Sequence, residues 1–277
     1  MKQHIYTSHN KYSITDIIKS SIKGYKSSFF LARQLADRDI KAQYRQSVLG
    51  IFWAIIPIFI NSLVWIFLQS TGTVKLSDTG IPYPLFVIIG TTLWSIIGDG
   101  INLPMTSVNA NRSIISKINF DKEGLITLGL IKFGFNLLIK FSLIILFMIY
   151  FQVGVSWSVL LFIPLLALTL ACLIAIGKII TPLGVLYTDV GRSIPIVLQF
   201  LMYVTPVLYV MPSEGLMAKL MRLNPLAYAI TDLRNCLTGV ELQYPLFWLG
   251  FLCCLVPLIA LSMVVYRVSM PIITEKM

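Results

Sequence analysis

Charged residues are scarce in this sequence, and that scarcity limits the kind of protein it can encode. Asp, Glu, Lys and Arg make up only 12% of its 277 residues, hydrophobic residues make up 57%, and the mean hydropathy is +0.82. A soluble domain has about 25% charged residues. The composition therefore predicts a protein solvated largely by lipid. The net charge of +10 does not indicate a nucleic-acid partner, because the basic residues lie between apolar runs.

The sequence also lacks the residues that catalysis or ATP hydrolysis would need. No G-x-x-x-x-G-K-[ST] loop is present to hold nucleotide phosphates. The only histidines, His4 and His9, lie in a polar N-terminal stretch, so the apolar region has no histidine to act as a general base or zinc ligand. The four cysteines show no C-x-x-C spacing. We therefore expect no catalytic residue, metal or cofactor in this chain.

Six apolar stretches are long enough to cross a membrane, because a helix of about 20 residues spans the roughly 30 Å hydrocarbon core. The predicted spans lie near residues 48–70, 84–103, 133–151, 157–178, 193–211 and 245–266. The third and fourth come from one uncharged stretch between Lys140 and Lys178, which is too long for one span and contains turn-forming residues near Gly154. The predicted fold class is an all-α membrane protein with six transmembrane helices.

The positions of the basic residues predict the orientation of the spans, because Lys and Arg in short loops stay on the cytoplasmic side. With the N-terminus inside, 17 basic residues fall in cytosolic segments and four in external ones. The external four are Lys75, Lys219, Arg222 and Arg234. We therefore expect a multi-pass protein with both termini in the cytosol.

The chain is predicted to have three parts, with an amphipathic helix between a polar tail and the membrane. Residues 1–28 are the cytosolic tail, residues 29–47 the interface helix and residues 48–277 the transmembrane domain. The helix pattern places apolar and basic residues on separate faces, which is typical of a helix lying on a membrane surface. The apolar face holds Phe29, Ala32, Ala36, Ile40 and Tyr44, and the basic face holds Arg38, Lys41 and Arg45.

The stretch between the fifth and sixth spans, residues 212–243, is too interrupted to cross the bilayer. Pro212, Pro225 and Gly239 divide it, and it lies on the external side of the predicted topology. Irregular backbone at membrane depth is tolerated only where protein or water covers it. We expect one or two re-entrant or surface helices here.

Two charged residues fall inside the predicted spans. Asp99 lies near the end of the second span with no second carboxylate in the spans, so we interpret it as a solvated or capping residue. Lys140 lies deep in the third span. It has two open interpretations: its ammonium group reaches to the membrane surface, or it faces the transport path.

Five sequence elements, in order, resemble those of one transporter family. The first runs from Arg38 to Gly50 with Trp53-Ala54 and Pro57 after it, and matches RDIK-x-x-YRQS-x-LG-x-x-WA. The others are Pro82-Tyr83-Pro84-Leu85-Phe86, Asn109-Ala110-Asn111 with Ile115, Lys117 and Phe120, Tyr187-Thr188-Asp189-Val190, and Leu223-Asn224-Pro225. From about residue 30 to the C-terminus the chain resembles the permeases of type-two ABC exporters for O-antigen, capsule or teichoic acid. It departs from them at Asp121-Lys122-Glu123, where the family usually has P-R-E.

This resemblance implies a bacterial inner-membrane permease subunit that exports a lipid-linked polysaccharide and is not an enzyme. Two copies of the chain would form a channel, and two separate ABC ATPase subunits would bind ATP and magnesium. The ATPase-coupling residues implied are Arg38, Asp39, Lys41, Arg45, Asn109, Asn111, Lys117, Phe120 and Glu123. The alternative left open is a secondary carrier or channel for another substrate that needs no ATPase.

Aromatic residues in the first and fifth spans are candidates for the channel wall. Sugars present CH faces that stack on aromatic rings, and stacking permits a polymer to slide. The candidates are Phe52, Trp53, Trp65, Phe200, Tyr203 and Tyr209. Interfacial belts and core packing are the alternative roles, because aromatic residues serve both in any membrane helix.

Overall fold

A computed structural model describes residues 13–45, 48–73, 78–115, 117–118, 120–154 and 156–276, without the side chains of Tyr44 and Lys276. Its helices are α1 (Ile14–Ser27), α2 (Phe29–Arg45), α3 (Ile56–Ser70), α4 (Tyr83–Ala110), α5 (Arg112–Ile115), α6 (Glu123–Tyr150), α7 (Val159–Leu186), α8 (Thr188–Tyr203), α9 (Leu216–Leu223), α10 (Pro225–Thr238) and α11 (Pro245–Lys276), with a 3₁₀ turn at Gly50–Ala54. These residues form no strand, and the all-α prediction is confirmed. His4, His9 and Lys75 lie outside the described residues.

Four helices, α4, α6, α7 and α11, are long and apolar enough to cross a membrane. Three of them have 28 residues each, about 42 Å at 1.5 Å per residue, so they exceed the hydrocarbon core by roughly 10 Å. The predicted spans 84–103, 133–151, 157–178 and 245–266 identify their apolar parts but not their ends. The hydropathy of the sequence marks only the part of a helix that lies in the hydrocarbon core, and these helices continue beyond that part.

The predicted first and fifth spans correspond to shorter helices. α3 has 15 residues and follows the 3₁₀ turn, while α8 has 16 and ends at Tyr203 rather than near residue 211. Pro206 accounts for the early end, because a proline disfavours helical backbone at the residue before it. The structure therefore shows four helices of spanning length, and the total of six spans remains a prediction.

The helix α4 lies at the centre of the bundle and is buried on most sides. Leu85, Ile89 and Leu93 belong to one apolar cluster that includes side chains of α6 and α7, and Phe86 and Trp94 belong to a second cluster that includes α8. A helix with apolar residues on most of its circumference is expected in such a position. The long helices α6 and α7 pack against α4, and α11 packs against α7.

Close contact between α4 and α7 depends on one glycine. A Cβ atom at Gly177 would lie 2.2 Å from the carbonyl oxygen of Ile101, so only glycine fits between the two backbones. Small residues at such crossings are typical of packed membrane helices, because they let the backbones approach.

The N-terminal region contains more regular structure than the sequence suggested. The predicted tail, residues 1–28, includes α1, which packs against α6 and α11. In α2, Ala32 and Ala36 are buried against Leu128 of α6, while Phe29 is half exposed. Part of the predicted lipid-facing side of α2 therefore contacts protein, and its position at the membrane interface remains a prediction.

Two short helices occupy the predicted region 212–243. α9 and α10 meet at Asn224, whose Oδ1 accepts a hydrogen bond from the backbone N–H of Leu226 and so caps α10. Gly239 ends α10 in the left-handed conformation. The two helices match the expected number, and whether they lie on or dip into the bilayer remains a prediction.

Candidate functional site

Features that bear on transport occur at both ends and in the middle of the bundle. At the end that carries α10, the chain unwinds after α8, and residues 204–209 form turns. Asn224 donates from Nδ2 to the carbonyl of Val204 at 3.0 Å and to Thr205 Oγ1 at 2.8 Å. Buried backbone groups need such partners. The Leu-Asn-Pro element therefore has a structural role, because its asparagine holds the unwound segment and caps α10.

Arg234 of α10 holds the same segment from a buried position. Its Nη2 donates to the carbonyls of Pro206 at 2.8 Å and Val207 at 3.0 Å, and its guanidinium lies 3.6 Å from the ring centre of Phe86. The approach needs Gly90, since a Cβ there would lie 2.1 Å from the Val207 oxygen. The sequence treated Arg234 as an external loop charge. The structure shows that its side chain is buried within α10 and reaches carbonyls of the segment after α8, while its side of the membrane remains a prediction.

Asp232, two residues before Arg234, organises the start of α11. Its carboxylate accepts hydrogen bonds from the backbone N–H groups of Gln243 at 2.8 Å and Tyr244 at 3.2 Å, and from Nε1 of Trp248 at 2.8 Å. A negative charge is favourable there because it faces the N-terminal end of a helix. Asp232 thus fixes α10 to the start of α11, and Arg234 fixes it to the segment that follows α8. A cavity of about 550 Å³, partly lined by Tyr228 and Tyr244, lies beside it.

In the middle of the bundle, Lys140 and Asp99 form an ion pair. Lys140 Nζ lies 2.6 Å from Asp99 Oδ2 and 2.7 Å from Ser95 Oγ. The Lys140 side chain is 5% exposed, whereas that of Asp99 is 45% exposed. The structure adds a contact that the sequence did not predict: Asp99 has a basic partner and stays partly exposed, and the carboxylate stabilises the charge of Lys140 from one helix away. Whether Lys140 serves the transport path remains a prediction.

A groove with polar and apolar lining residues lies between α4 and α6 and extends from Asp99 toward the end that carries α1. We call it the α4–α6 groove. It has a volume of about 260 Å³ and is lined by Asp99, Asn102, Leu103, Thr106, Ser107, Ala110, Asn111, Leu128, Gly129, Lys132, Phe133 and Asn136. At its far end, Lys132 Nζ lies 3.3 Å from Asp39 Oδ2, which connects the groove to α2.

At the end that carries α1, Arg267 forms a further ion pair and connects α11 with α6 and α1. Arg267 of α11 donates from Nη1 to Glu123 Oε2 at 2.6 Å and to Asp121 Oδ1 at 3.3 Å, and from Nη2 to Ser20 Oγ of α1 at 2.9 Å. Ser27 donates to Asp121 Oδ2 at 2.6 Å. We call this set the α1 junction. It fixes α1 against α6 and α11.

Burial shapes the chemistry of the α1 junction. Glu123 is 1% exposed, and its Oε1 has no hydrogen-bond partner among the described residues. Burial, reinforced by the charge of Glu123, raises the pKa of the nearby Tyr25 phenol, so that hydroxyl stays protonated. Lys178 Nζ lies 3.5 Å from the Tyr25 oxygen. The charge of Glu123 therefore interacts with both Arg267 and Lys178 at the junction.

The predicted coupling residues fall into two sets, and their role is still a prediction. Arg38, Lys41, Arg45, Asn109 and Lys117 are exposed, and Phe120 is half-buried beneath Lys122. Asp39 is bound to Lys132, and Asn111 and Glu123 are buried. The buried ones can act on a partner only by positioning their neighbours. Sequence reasoning did not single out Arg267 as a functional residue. The one feature that could have indicated it is a basic residue within an apolar C-terminal helix.

The predicted channel aromatics lie mainly on the surface of the chain. Phe52 is 66% exposed and Phe200 is 70% exposed, and Trp53 and Tyr203 are also exposed. Tyr209 donates to the carbonyl of Tyr203, and Trp65 is half-buried beside the cluster that contains Met202. The four exposed rings are thus available for contact with lipid, substrate or another chain. Their role in a channel remains a prediction.

The family of the chain follows from comparison with known proteins. The profile of the ABC-2 type transporter family matches residues 31–238, which run from α2 to the end of α10. The chain belongs to the ABC-2 type transporter family. It is therefore a membrane subunit of a transporter and not an enzyme. Membership favours a partner ABC ATPase over the alternative of a carrier or channel that works without one.

Individual relatives of this ABC-2 chain carry a more specific name. The O-antigen export system permease protein RfbA of Klebsiella pneumoniae is 25% identical over 248 residues, which covers 86% of this chain and 93% of that protein. The protein of the same name from Myxococcus xanthus is 23% identical over 201 residues, covering 72% of this chain and 76% of that protein. The motif-based resemblance to export permeases is thus confirmed at the level of the family.

Proposed function

We propose that this chain is the membrane-spanning permease subunit of an ABC exporter that moves a lipid-linked polysaccharide across the bacterial inner membrane. The observation that carries the proposal is the ABC-2 family match together with relatives named O-antigen export permeases over nearly their whole length. The sequence supplies no loop for ATP, so a separate ATPase subunit provides the energy. ATP and magnesium bind to that subunit, and both termini of this chain lie in the cytosol with it.

The end of the bundle that carries α1 and α2 is the proposed contact with the ATPase. Its exposed basic residues, Arg38, Lys41 and Arg45, lie on α2, and Asp39 of the same helix is bound to Lys132 of α6. A push on α2 would therefore reach α6 through a charged contact as well as through Ala32 and Ala36. ATP can drive transport only if the ATPase contacts differ between two states of the membrane subunit, and α2 can transmit such a difference.

Reversing the charges of α2 is expected to uncouple transport from ATP hydrolysis. In Arg38→Glu/Lys41→Glu, the ATPase contact loses two favourable charges, and export should fall about tenfold or more, the effect of roughly 1.4 kcal/mol of lost contact energy. ATP hydrolysis and polymer export are measured in the purified complex and in cells. Arg33→Glu, at another exposed position of α2, is the matched control. Normal export and coupled hydrolysis in the double variant would contradict this assignment.

Two copies of the chain are proposed to form the channel, with the exposed faces of α3, α8 and the preceding 3₁₀ turn toward the centre. α8 is buried mainly through Leu198 and Met202, and the opposite side, including Ile196 and Val197, is exposed. Such a large apolar face is expected to contact either lipid or a second protein surface. The dimer is supported here by the exporter architecture that the family resemblance implies.

The aromatic rings on these faces provide a direct test of the channel wall. Alanine at each of Phe52, Trp53, Trp65, Phe200, Tyr203 and Tyr209 is expected to lower polymer flux roughly fivefold wherever the ring stacks on sugar, since one aromatic contact contributes about 1 kcal/mol. Surface polymer is measured against the membrane level of each variant. Trp157→Ala, an exposed aromatic in the loop after α6, is the control. Unchanged flux in all six variants would remove the stacking proposal.

A further inference from the structure

The carboxylate of Asp99 is exposed although it lies within a predicted span, about 6 Å along α4 from the end of the span 84–103. Its partner Lys140 lies about 10 Å along α6 inside the predicted span 133–151. Lys140 is covered by protein, but 45% of the Asp99 side chain is open. The open member of the pair is therefore the acid.

An exposed carboxylate at this depth cannot face lipid tails. Ionised groups in hydrocarbon are strongly unfavourable, and those found within spans face a bundle interior or a water-filled cavity. Oδ2 of Asp99 is bound to Lys140, and the Asp99 side chain is still 45% exposed. The side of α4 that carries Asp99 therefore faces water or a polar ligand.

The residues around Asp99 continue this polar surface along two helices. On α4, Ser95, Asp99, Asn102 and Thr106 recur at three- and four-residue intervals, and on α6 Lys132, Asn136 and Lys140 recur every four residues. Such spacing places each set along one helix face. The two sets meet in the α4–α6 groove, which runs from the middle of the bundle toward the α1 end, the cytosolic end under the proposed topology.

The chemistry of the groove fits an uncharged polyhydroxyl ligand better than an anion. Lys132, which lines the groove, is bound to Asp39, and Lys140, which lies beside it, is bound to Asp99. A phosphate would have to displace these carboxylates. Sugar hydroxyls would instead find a carboxylate oxygen of Asp99 and the side-chain oxygens of Asn102 and Thr106, all of which accept hydrogen bonds. The donor hydrogens of Asn102 and Thr106 go to backbone carbonyls of α4.

We propose that the α4–α6 groove is part of the transport path and that Asp99 accepts hydrogen bonds from hydroxyl groups of the passing saccharide. Lys140 is a positioning residue, because it holds the carboxylate in place through its ion pair without itself being exposed. This inference rests on the proposed export function for the nature of the ligand. It places substrate contacts between α4 and α6, in addition to the aromatic faces of α3 and α8.

A double variant separates substrate contact from a purely structural ion pair. Asp99→Asn/Lys140→Met removes both charges at once, and replacing an ion pair by neutral residues is often without penalty to the fold. We expect normal membrane levels, an unchanged thermal midpoint and polymer export lowered about tenfold, because the charged acceptor is gone. Asp99→Glu should restore a substantial part of the export that Asp99→Asn loses. Export at the parental level in the double variant would overturn the role of Asp99.

Capture of polymer by the groove tests the path directly. A photoreactive benzophenone amino acid replaces Asn102 in exporting cells whose polysaccharide is metabolically labelled, and Leu146, exposed elsewhere on α6, receives the same label as control. We expect labelled polymer to be captured at residue 102 and not at residue 146. Absence of capture at residue 102 in cells that export normally would overturn the proposal.

Water access provides a test that does not depend on the substrate. In a variant without the four native cysteines, Thr106→Cys and Asn102→Cys should react with a membrane-impermeant thiosulfonate, and Leu146→Cys should not. Protection of both groove positions from the reagent would contradict a hydrated path. If the cells export no polymer at all, the proposed function fails, while reaction at the groove would still support an aqueous path through it.

Discussion

Arg267→Met is expected to lower the thermal midpoint by several degrees and to release α1 from the bundle. The change removes the cation that pairs with Glu123, which is 1% exposed and cannot recover its charge solvation from water. Breaking a buried ion pair by removing one partner destabilises a protein by about 3–5 kcal/mol. The effect should fall near the lower limit, because the Arg267 side chain is 31% exposed. Thermal unfolding in detergent measures the midpoint, and limited proteolysis reports on α1.

A double variant tests whether the unpaired charge of Glu123 causes the lower thermal midpoint of Arg267→Met. Glu123→Gln/Arg267→Met removes both members of the ion pair, so neither charge is left without its partner, and should recover most of the stability. Arg192→Met, at an exposed position of α8, should leave the midpoint within about 1 °C, because surface substitutions of this kind have small effects. If Arg267→Met alone were as stable as the parent protein, or if the double variant were less stable than the single one, the α1 junction would not be the contact described here.

Arg234→Met is expected to prevent accumulation of well-folded protein. The variant leaves the carbonyls of Pro206 and Val207 without their donor and removes the cation from the ring of Phe86. An unsatisfied buried polar group is unfavourable by about 1–3 kcal/mol, and two lie side by side here. Arg234→Lys should recover little, because one ammonium group does not reproduce the planar fork of guanidinium. The yield of monodisperse protein and its thermal midpoint measure the effect.

A nearby arginine provides the comparison for this prediction. Arg222 also belongs to the segment between α8 and α11, but its Nη2 donates to the carbonyl of Ser213 at an exposed position. Arg222→Met should change the midpoint little, since an exposed hydrogen bond exchanges with water. Equal losses for the two arginine variants would mean that the burial of Arg234 is not what makes it necessary.

The long helices could be predicted from the sequence because lipid imposes a length on apolar segments. Four of the predicted spans correspond to α4, α6, α7 and α11, and the break at the turn near Gly154 separates α6 from α7. The outer limits were less accurate, since a helix can continue into water where hydropathy no longer marks it. α8 shows the opposite error, because Pro206 and the side chains of Asn224 and Arg234 end the helix within an apolar run.

The charged contacts could not be predicted because each joins residues far apart in the chain. Lys140 and Asp99 meet only once α4 packs against α6, and Arg267 reaches Glu123 from the C-terminal helix. Periodicity within one segment contains no information on such pairs. α1 was missed for a related reason. Its lysines suggested a tail, whereas Ser27 contacts Asp121 just before α6 and Ser20 contacts Arg267 of α11, which gives the helix a fixed place.

The site could be predicted only at the level of motifs. The Arg38 and Asn109 segments were recognised by resemblance, and the structure places their exposed residues at the end that carries α1. It buries others, such as Asn111, whose amide donates to the carbonyl of Ser107. A motif contains residues that contact a partner and residues that pack inside the chain, and the sequence pattern does not show which is which. Burial distinguishes the two kinds, and mutations of the exposed residues therefore test coupling with the least disturbance of the fold.

The measurement that tests the central claim most directly is co-purification of the tagged chain with the ABC ATPase expressed from the same genome, followed by ATP hydrolysis in lipid nanodiscs. The account predicts a stable complex of two permease chains with two ATPase chains, and hydrolysis that the Arg38→Glu/Lys41→Glu variant uncouples from transport. Failure of the intact, folded chain to recruit any ATPase would contradict it.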